Sequence, residues 1–260
     1  MSRVGDYFKG AASRGVLLTV LLPLCLVLFL GSVGAAAYLA PHGYDWRVEV
    51  MSKLTSPSDN PEGYWLPMAG IILAVLLAFP FAGYVGRRLR VDAPRFGWWA
   101  ELAFKAGFVI VICSMAAQAA QPLIGMRRLH TVLAQAGGVI FGLGMISCGV
   151  CAFRDRIGKG RKLLPTGLAY YWCFLIVLPL GLLAGLGILA GLGSMGLDWA
   201  ENYRQSFRHT PLWHLAFWEW IGGGVIFAFL WGSVYLLPAR EREKASAPAS
   251  RMEANERVEA

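Results

Sequence analysis

Apolar residues fill six stretches of the chain, at roughly 15–39, 64–86, 98–120, 130–153, 168–194 and 213–237, with shorter polar segments between them. About 20 helical residues cross the ~30 Å of hydrocarbon in a bilayer, and every stretch is long enough. Lipid offers no water to backbone amides and carbonyls, so each stretch must satisfy them internally as a helix. None alternates polar and apolar positions as a barrel strand would. The pattern predicts an all-α polytopic membrane protein, a six-transmembrane-helix bundle over 15–237, with loops 40–63, 121–129 and 195–212 on the outer side.

The charges between the stretches predict an orientation. Segment 1–14, the second and fourth connections and the tail 238–260 together hold seventeen Lys and Arg, whereas the three outer loops hold six. That bias places both termini in the cytoplasm, and an even number of spans requires them on one side. The expected location is the plasma membrane, or the inner membrane in a bacterium. The first span has a basic start and a small-residue patch, Gly34-Ala35-Ala36-Ala37, as a signal peptide does. Its apolar run continues to Leu39, which favours an uncleaved anchor. The tail is charged, rich in Ala, Ser and Pro and free of aromatic residues, and is expected to be disordered.

Composition agrees: 57% of the 260 residues are apolar and 15% charged, where a soluble domain carries about 25% charged residues. The net charge of +8 is a topology signal and not a nucleic-acid footprint. All five cysteines fall in apolar stretches, and Cys148-x-x-Cys151 has no second pair, so they read as small core residues. Gly181 and Gly185, Gly187 and Gly191, and Gly138 and Gly142 have the spacing that lets helices approach closely. Packing within the bundle is the expectation there, and a homo-oligomer face the alternative. No motif names a cofactor.

Candidate chemistry collects at the outer side. Glu219 is the sharpest residue, because a carboxylate within a span costs about 2–3 kcal/mol or more and needs a partner. His214 lies five residues away, about 140° around the helix, so His130 is the better expected partner. Ser52, Asp59, Glu62, His130, His214 and Glu219 form the candidate polar pocket. His130, His209 and His214 are weak candidates as metal ligands, since no HxxH or HExxH spacing supports them. Gln118, Gln121 and Gln135 are expected to bond between helices. Glu101 and Lys105 form an i,i+4 pair that neutralises itself. In the last loop, Asp198 and Glu201 have capping-box spacing. Trp199, Tyr203 and Phe207 make a stripe, predicting a short interfacial helix at about 199–209 that either lies in the membrane surface or covers the bundle mouth.

The first outer loop, YDWRVEVMSKLTSPSDNPEGYWLPMAG, resembles the six-span family called domain of unknown function 998 and the wider Frag/DRAM/Sfk group. The matching positions are Ser52, Leu54, Pro61, Glu62 and Gly63. Thr55 stands where the pattern places Gly. The run from His130 to Phe141 and the pair Glu219-Trp220 resemble further motifs of that group. The resemblance implies a lipid-facing role. The function expected is therefore lipid binding or handling through the outer polar pocket, with the bilayer and a lipid ligand as partners. The alternatives are an intramembrane lipid hydrolase or acyl-transfer enzyme, perhaps metal-assisted, and a structural subunit of a membrane complex.

Overall fold

The computed structural model describes residues 7–8, 10–123, 125–157 and 164–237. The tail 238–260 and half of segment 1–14 (residues 1–6 and 9) lie outside the described residues. Among the described residues the fold is helical throughout, and six helices are long and apolar enough to cross a membrane. They are α1 (Arg14–Leu39), α2 (Trp65–Asp92), α3 (Pro94–Ala119), α4 (Met126–Ile157), α5 (Thr166–Ser194) and α7 (Leu215–Leu236). An eleven-residue helix, α6 (Asp198–Arg208), lies between α5 and α7. The bundle has a termini end, where α1 begins and α7 finishes, and a loop end, which carries segments 40–64, 120–125 and 195–214.

Local sequence sets the boundaries. The Ser13 side chain accepts the Val16 amide at 3.3 Å and caps α1. Two π turns, Leu17–Leu21 and Val27–Gly31, flank Pro23 inside α1; a proline donates no amide and crowds the preceding turn, which a wider turn relieves. Ala40 precedes Pro41 and is extended, which ends α1. Ala93 alone joins α2 to α3, with Pro94 at the first helical position, where its missing N–H goes unmissed.

Helices as apolar as these associate through close packing of small residues. Glycine supplies it here. A Cβ on Gly70 would overlap Ser32 of α1, one on Gly86 would overlap Glu101 of α3, and one on Gly232 would overlap the Tyr171 ring of α5. Gly107 and Gly144 each leave room for a ring from the facing helix, Phe141 and Phe104 respectively. The glycine pairs expected from spacing are not the ones used. Around Gly138, Gly142, Gly181, Gly185, Gly187 and Gly191 an added Cβ would meet nothing within 4 Å. The reason is geometric: α5 is tied to the bundle at the termini end only. Its buried residues are Leu168 and Trp172, and no residue beyond Ile176 joins the core. Trp172 stacks on Phe229 (5.5 Å between centroids) and donates its indole N–H to Ser233 Oγ at 2.8 Å.

The expected Glu101–Lys105 pair forms and gains a third member. Glu101 is buried where α2 meets α3, bonded to Lys105 and 2.8 Å from Arg90 Nη2. Cys25, Cys148 and Cys151 are buried in the core and Cys113 and Cys173 are exposed; none of the five is in a disulfide.

Because Gly86 faces a packed neighbour and Gly142 faces none, the same substitution separates them. Gly86→Leu is expected to destabilise the purified protein by about 1–3 kcal/mol. Gly142→Leu should leave the thermal midpoint unchanged or slightly raised, since leucine favours a helix over glycine by up to about 1 kcal/mol. Equal losses at both sites would contradict the packing described.

Candidate functional site

The loop end holds two features: a polar seam under segment 40–64, and a cavity beside α5.

The seam is built on Glu219. Glu219 Oε2 accepts the Met51 amide at 2.7 Å, and the Ser52 amide also donates to this carboxylate. Met51 and Ser52 open the short 3-10 turn Met51–Lys53, whose first amides have no partner within the turn. A side chain of α7 thus caps a turn of the first loop. Hydrogen bonds to a charged group are worth about 1.5–3 kcal/mol each, so the carboxylate's desolvation is offset locally. On the other side of the turn, Gln118 Nε2 donates to the Ser52 carbonyl at 2.9 Å, an acceptor that fixes the amide's orientation. Ser56 Oγ donates to Gln121 Oε1 at 2.7 Å. Asn60, fully buried, donates to the carbonyls of Ala36 (3.2 Å) and Leu54 (3.3 Å) and accepts the Gly63 amide at 3.3 Å. A side chain on Gly63 would collide with Asn60. The Asn60-Pro-Glu-Gly63 run is therefore explained by loop architecture.

One turn earlier on α3, Ser114 meets His130 of α4. His130 Nδ1 lies 2.9 Å from Ser114 Oγ and 3.0 Å from the Ser114 carbonyl, and Ser114 Oγ is 3.3 Å from the His130 carbonyl. A carbonyl only accepts, so Nδ1 carries the hydrogen, and the serine hydroxyl donates to the His130 carbonyl. An imidazole that donates through Nδ1 cannot also take the serine proton there. The pair staples α3 to α4 and does not activate a nucleophile.

The six candidates divide accordingly. Ser52 and Glu219 come together. His130, expected within direct or one-water reach of Glu219, bonds Ser114 instead of making a direct hydrogen bond to the carboxylate. Each has a nearer partner: a backbone carbonyl for the imidazole and loop amides for the carboxylate. Asp59 and Glu62 are exposed, and His214 is half-buried where the chain enters α7. His209 is exposed at the end of α6. Among the described residues no three His, Cys, Asp or Glu side chains come together as a metal site. Gln118 and Gln121 bond the loop and not a neighbouring helix, while Gln135 is exposed on α4. Sequence reasoning misses Ser114 and Asn60; the spacing of Ser114 and Gln118 on α3, continued by Gln121 just past its end, is the signal that could have found the first.

The short helix predicted in the last loop is present as α6, one residue earlier than expected, and without a capping box. Leu197, not Asp198, is the N-cap, and no side chain caps the helix. Its position follows from how α5 ends. Gly196 takes φ +84° and donates to Gly193 O at 3.0 Å, and Leu197 donates to Leu192 O at 3.3 Å. That glycine-based helix end turns the chain straight back. Glu201 then packs on Gly193, while Tyr203 and Phe207 reach α5 two to three turns lower. Glu201 bonds Arg204 (Nε to Oε2, 2.6 Å) and Gln205, and the guanidinium holds its carboxyl down at about 2. Trp199 is 54% exposed, so it does not seal the mouth against protein. Between the two helices lies a cavity of about 350 Å³, where Gly181, Leu182, Gly185, Leu186 and Leu189 face Tyr203, Phe207 and Leu212.

No family model matches this chain, and neither does any curated protein or solved structure.

Two outcomes follow from the seam. Glu219→Leu should remove both charge-assisted bonds and raise hydrogen exchange at the Met51 and Ser52 amides by at least tenfold; unchanged protection would show that the carboxylate does not hold the turn. Tyr44, which donates to the Glu49 carbonyl at 2.9 Å, has its phenol pushed up to about 12. Burial is the main cause, offset in part by the nearby Trp220 indole, with Glu219, Glu49 and Asp45 adding to the rise. The neutral phenol is therefore favoured by folding. Its contribution is complete below the unfolded value near 10 and is lost as pH rises towards 12. The difference between wild-type and Tyr44→Phe absorbance titrations should show a phenolate midpoint near 12; a midpoint near 10 would refute the buried environment.

Proposed function

We propose that the chain is an integral, multi-pass protein of the plasma membrane, or of the inner membrane in a bacterium, which binds lipid from the outer leaflet. Both termini are cytoplasmic in this reading, and the loop end faces outwards. The distribution of Lys and Arg supports the orientation. The observation that carries lipid binding is the way α5 leaves the bundle. Beyond Ile176 it contributes nothing to the core, so an apolar surface opens sideways at outer-leaflet depth, with α6 folded back over it.

The seam has a different role in this reading. Its carboxylate, amides and hydroxyls are turned towards one another and hold segment 40–64 down on the bundle mouth. It serves as a seal, and the lipid site belongs on the α5 side. The resemblance of the first loop to a lipid-associated membrane family supports the same class of function. A hydrolase is disfavoured, because the one Ser–His pair of the seam has its imidazole turned the wrong way for a base.

Topology and binding are tested separately. A reporter that fluoresces only in the cytoplasm should light up when fused after Leu237 and stay dark after Asp59; the reverse would sink the orientation. Native mass spectrometry of protein released from mild detergent should retain a lipid adduct. Removing lipid should lower the thermal midpoint and adding it back should restore it, as for any ligand that binds only the folded state. No adduct, together with a midpoint indifferent to lipid, would overturn lipid binding.

A further inference from the structure

We infer that the cavity between α5 and α6 is a site for a single lipid acyl chain, entered from the side of the bundle. This rests on the lipid-binding reading above and specifies which part of the lipid the protein holds, and where. The volume of about 350 Å³, at roughly 30 Å³ for a group the size of a water molecule, holds about a dozen such groups. That suits most of one chain. The walls carry no charged side chain, and the Tyr203 hydroxyl is the one polar side-chain group among them. An apolar groove of this kind offers water almost no hydrogen-bond partner and suits an apolar ligand. Of the charges on α6, Glu201 and Arg204 are bonded to each other, and Arg208 is exposed in the last turn, outside the lining.

Two glycines keep the space open. Gly181 and Gly185 lie one turn apart, both line the cavity, and an added Cβ at either meets no atom within 4 Å. Any larger residue there would project into the cavity without disturbing a packed neighbour. Gly187, on the same helix, also faces open space but does not line the cavity. The helix therefore carries its own control.

The test uses the full-length protein in mild detergent with a trace of phosphatidylcholine carrying a photoreactive diazirine at the end of one acyl chain. Irradiation should label residues within 181–189 or at Tyr203 and Phe207, and excess unlabelled lipid should abolish the label. Gly185→Leu should reduce this labelling at least fivefold, and Gly187→Leu should leave it unchanged, with both variants keeping the wild-type thermal midpoint without lipid. Labelling spread evenly around the bundle, or unmoved by Gly185→Leu, would overturn the assignment. So would a cross-link between two copies through Leu182 in place of lipid label. If a lipid adduct persists in native mass spectra while these positions stay unlabelled, lipid binding stands and the chain site falls. If the adduct is absent as well, the lipid-binding reading itself has failed.

Discussion

Trp172 stacked on Phe229, with its indole N–H on Ser233, is the contact on which the unusual part of this fold depends. It fastens α5 to α7 near the termini end, and Tyr171, fitted over Gly232 and bonded to the Ala228 carbonyl, reinforces it. Beyond Ile176, one turn past this clamp, α5 carries mostly leucine and glycine with no core partner. A water-soluble protein could not leave such a helix uncovered, since burying apolar surface is what stabilises it. In the bilayer proposed for it, lipid tails would solvate leucine as well as a neighbouring helix does, and one firm clamp would be enough. Fixing α5 at one end is what opens the lateral cavity at the other.

The remaining helices obey a stricter version of the same constraint. Hydrocarbon does not penalise an exposed leucine, but it penalises any polar group without a partner. The polar residues of α3 are accordingly matched with partners, Glu101 with Arg90 and Lys105, Ser114 with His130, Gln118 with Ser52, and Gln121 just past its end is matched with Ser56. Glu219, the one carboxylate in α7, is spent on two loop amides. The first loop is thus drawn onto the bundle by polar groups that the helices needed to neutralise, and the mouth is closed as a consequence.

The six helices were legible in the sequence because length and apolarity set them, and both are read one residue at a time. The short helix α6 was legible from its aromatic stripe. Its start was not, because the glycine-based end of α5 claimed Leu197 and moved the N-cap. Glu219 was legible as a residue requiring a partner. The partner was not, because backbone amides of a loop leave no mark in side-chain chemistry; the visible histidine, His130, drew the inference while its imidazole was committed to a carbonyl of the adjacent helix. Glycine spacing misled for a related reason. Gly181 and Gly185 have the same spacing as a packed pair, and only the clamp at Trp172 decides that they face a cavity.

The central claim is that α5 stands away from α4 in its second half. The two helices meet near Gly149 and Ile176, whereas an added Cβ at Gly138 or Gly142 on one, or at Gly187 on the other, would meet nothing within 4 Å. Spin labels at Val139 and Leu182, both exposed, would measure that separation by pulsed electron resonance in lipid nanodiscs. The account predicts a distance well beyond the 8–10 Å that separates packed helix axes, and a further increase in order when lipid is present. A single short distance, with the glycines of α4 and α5 in contact, would contradict it.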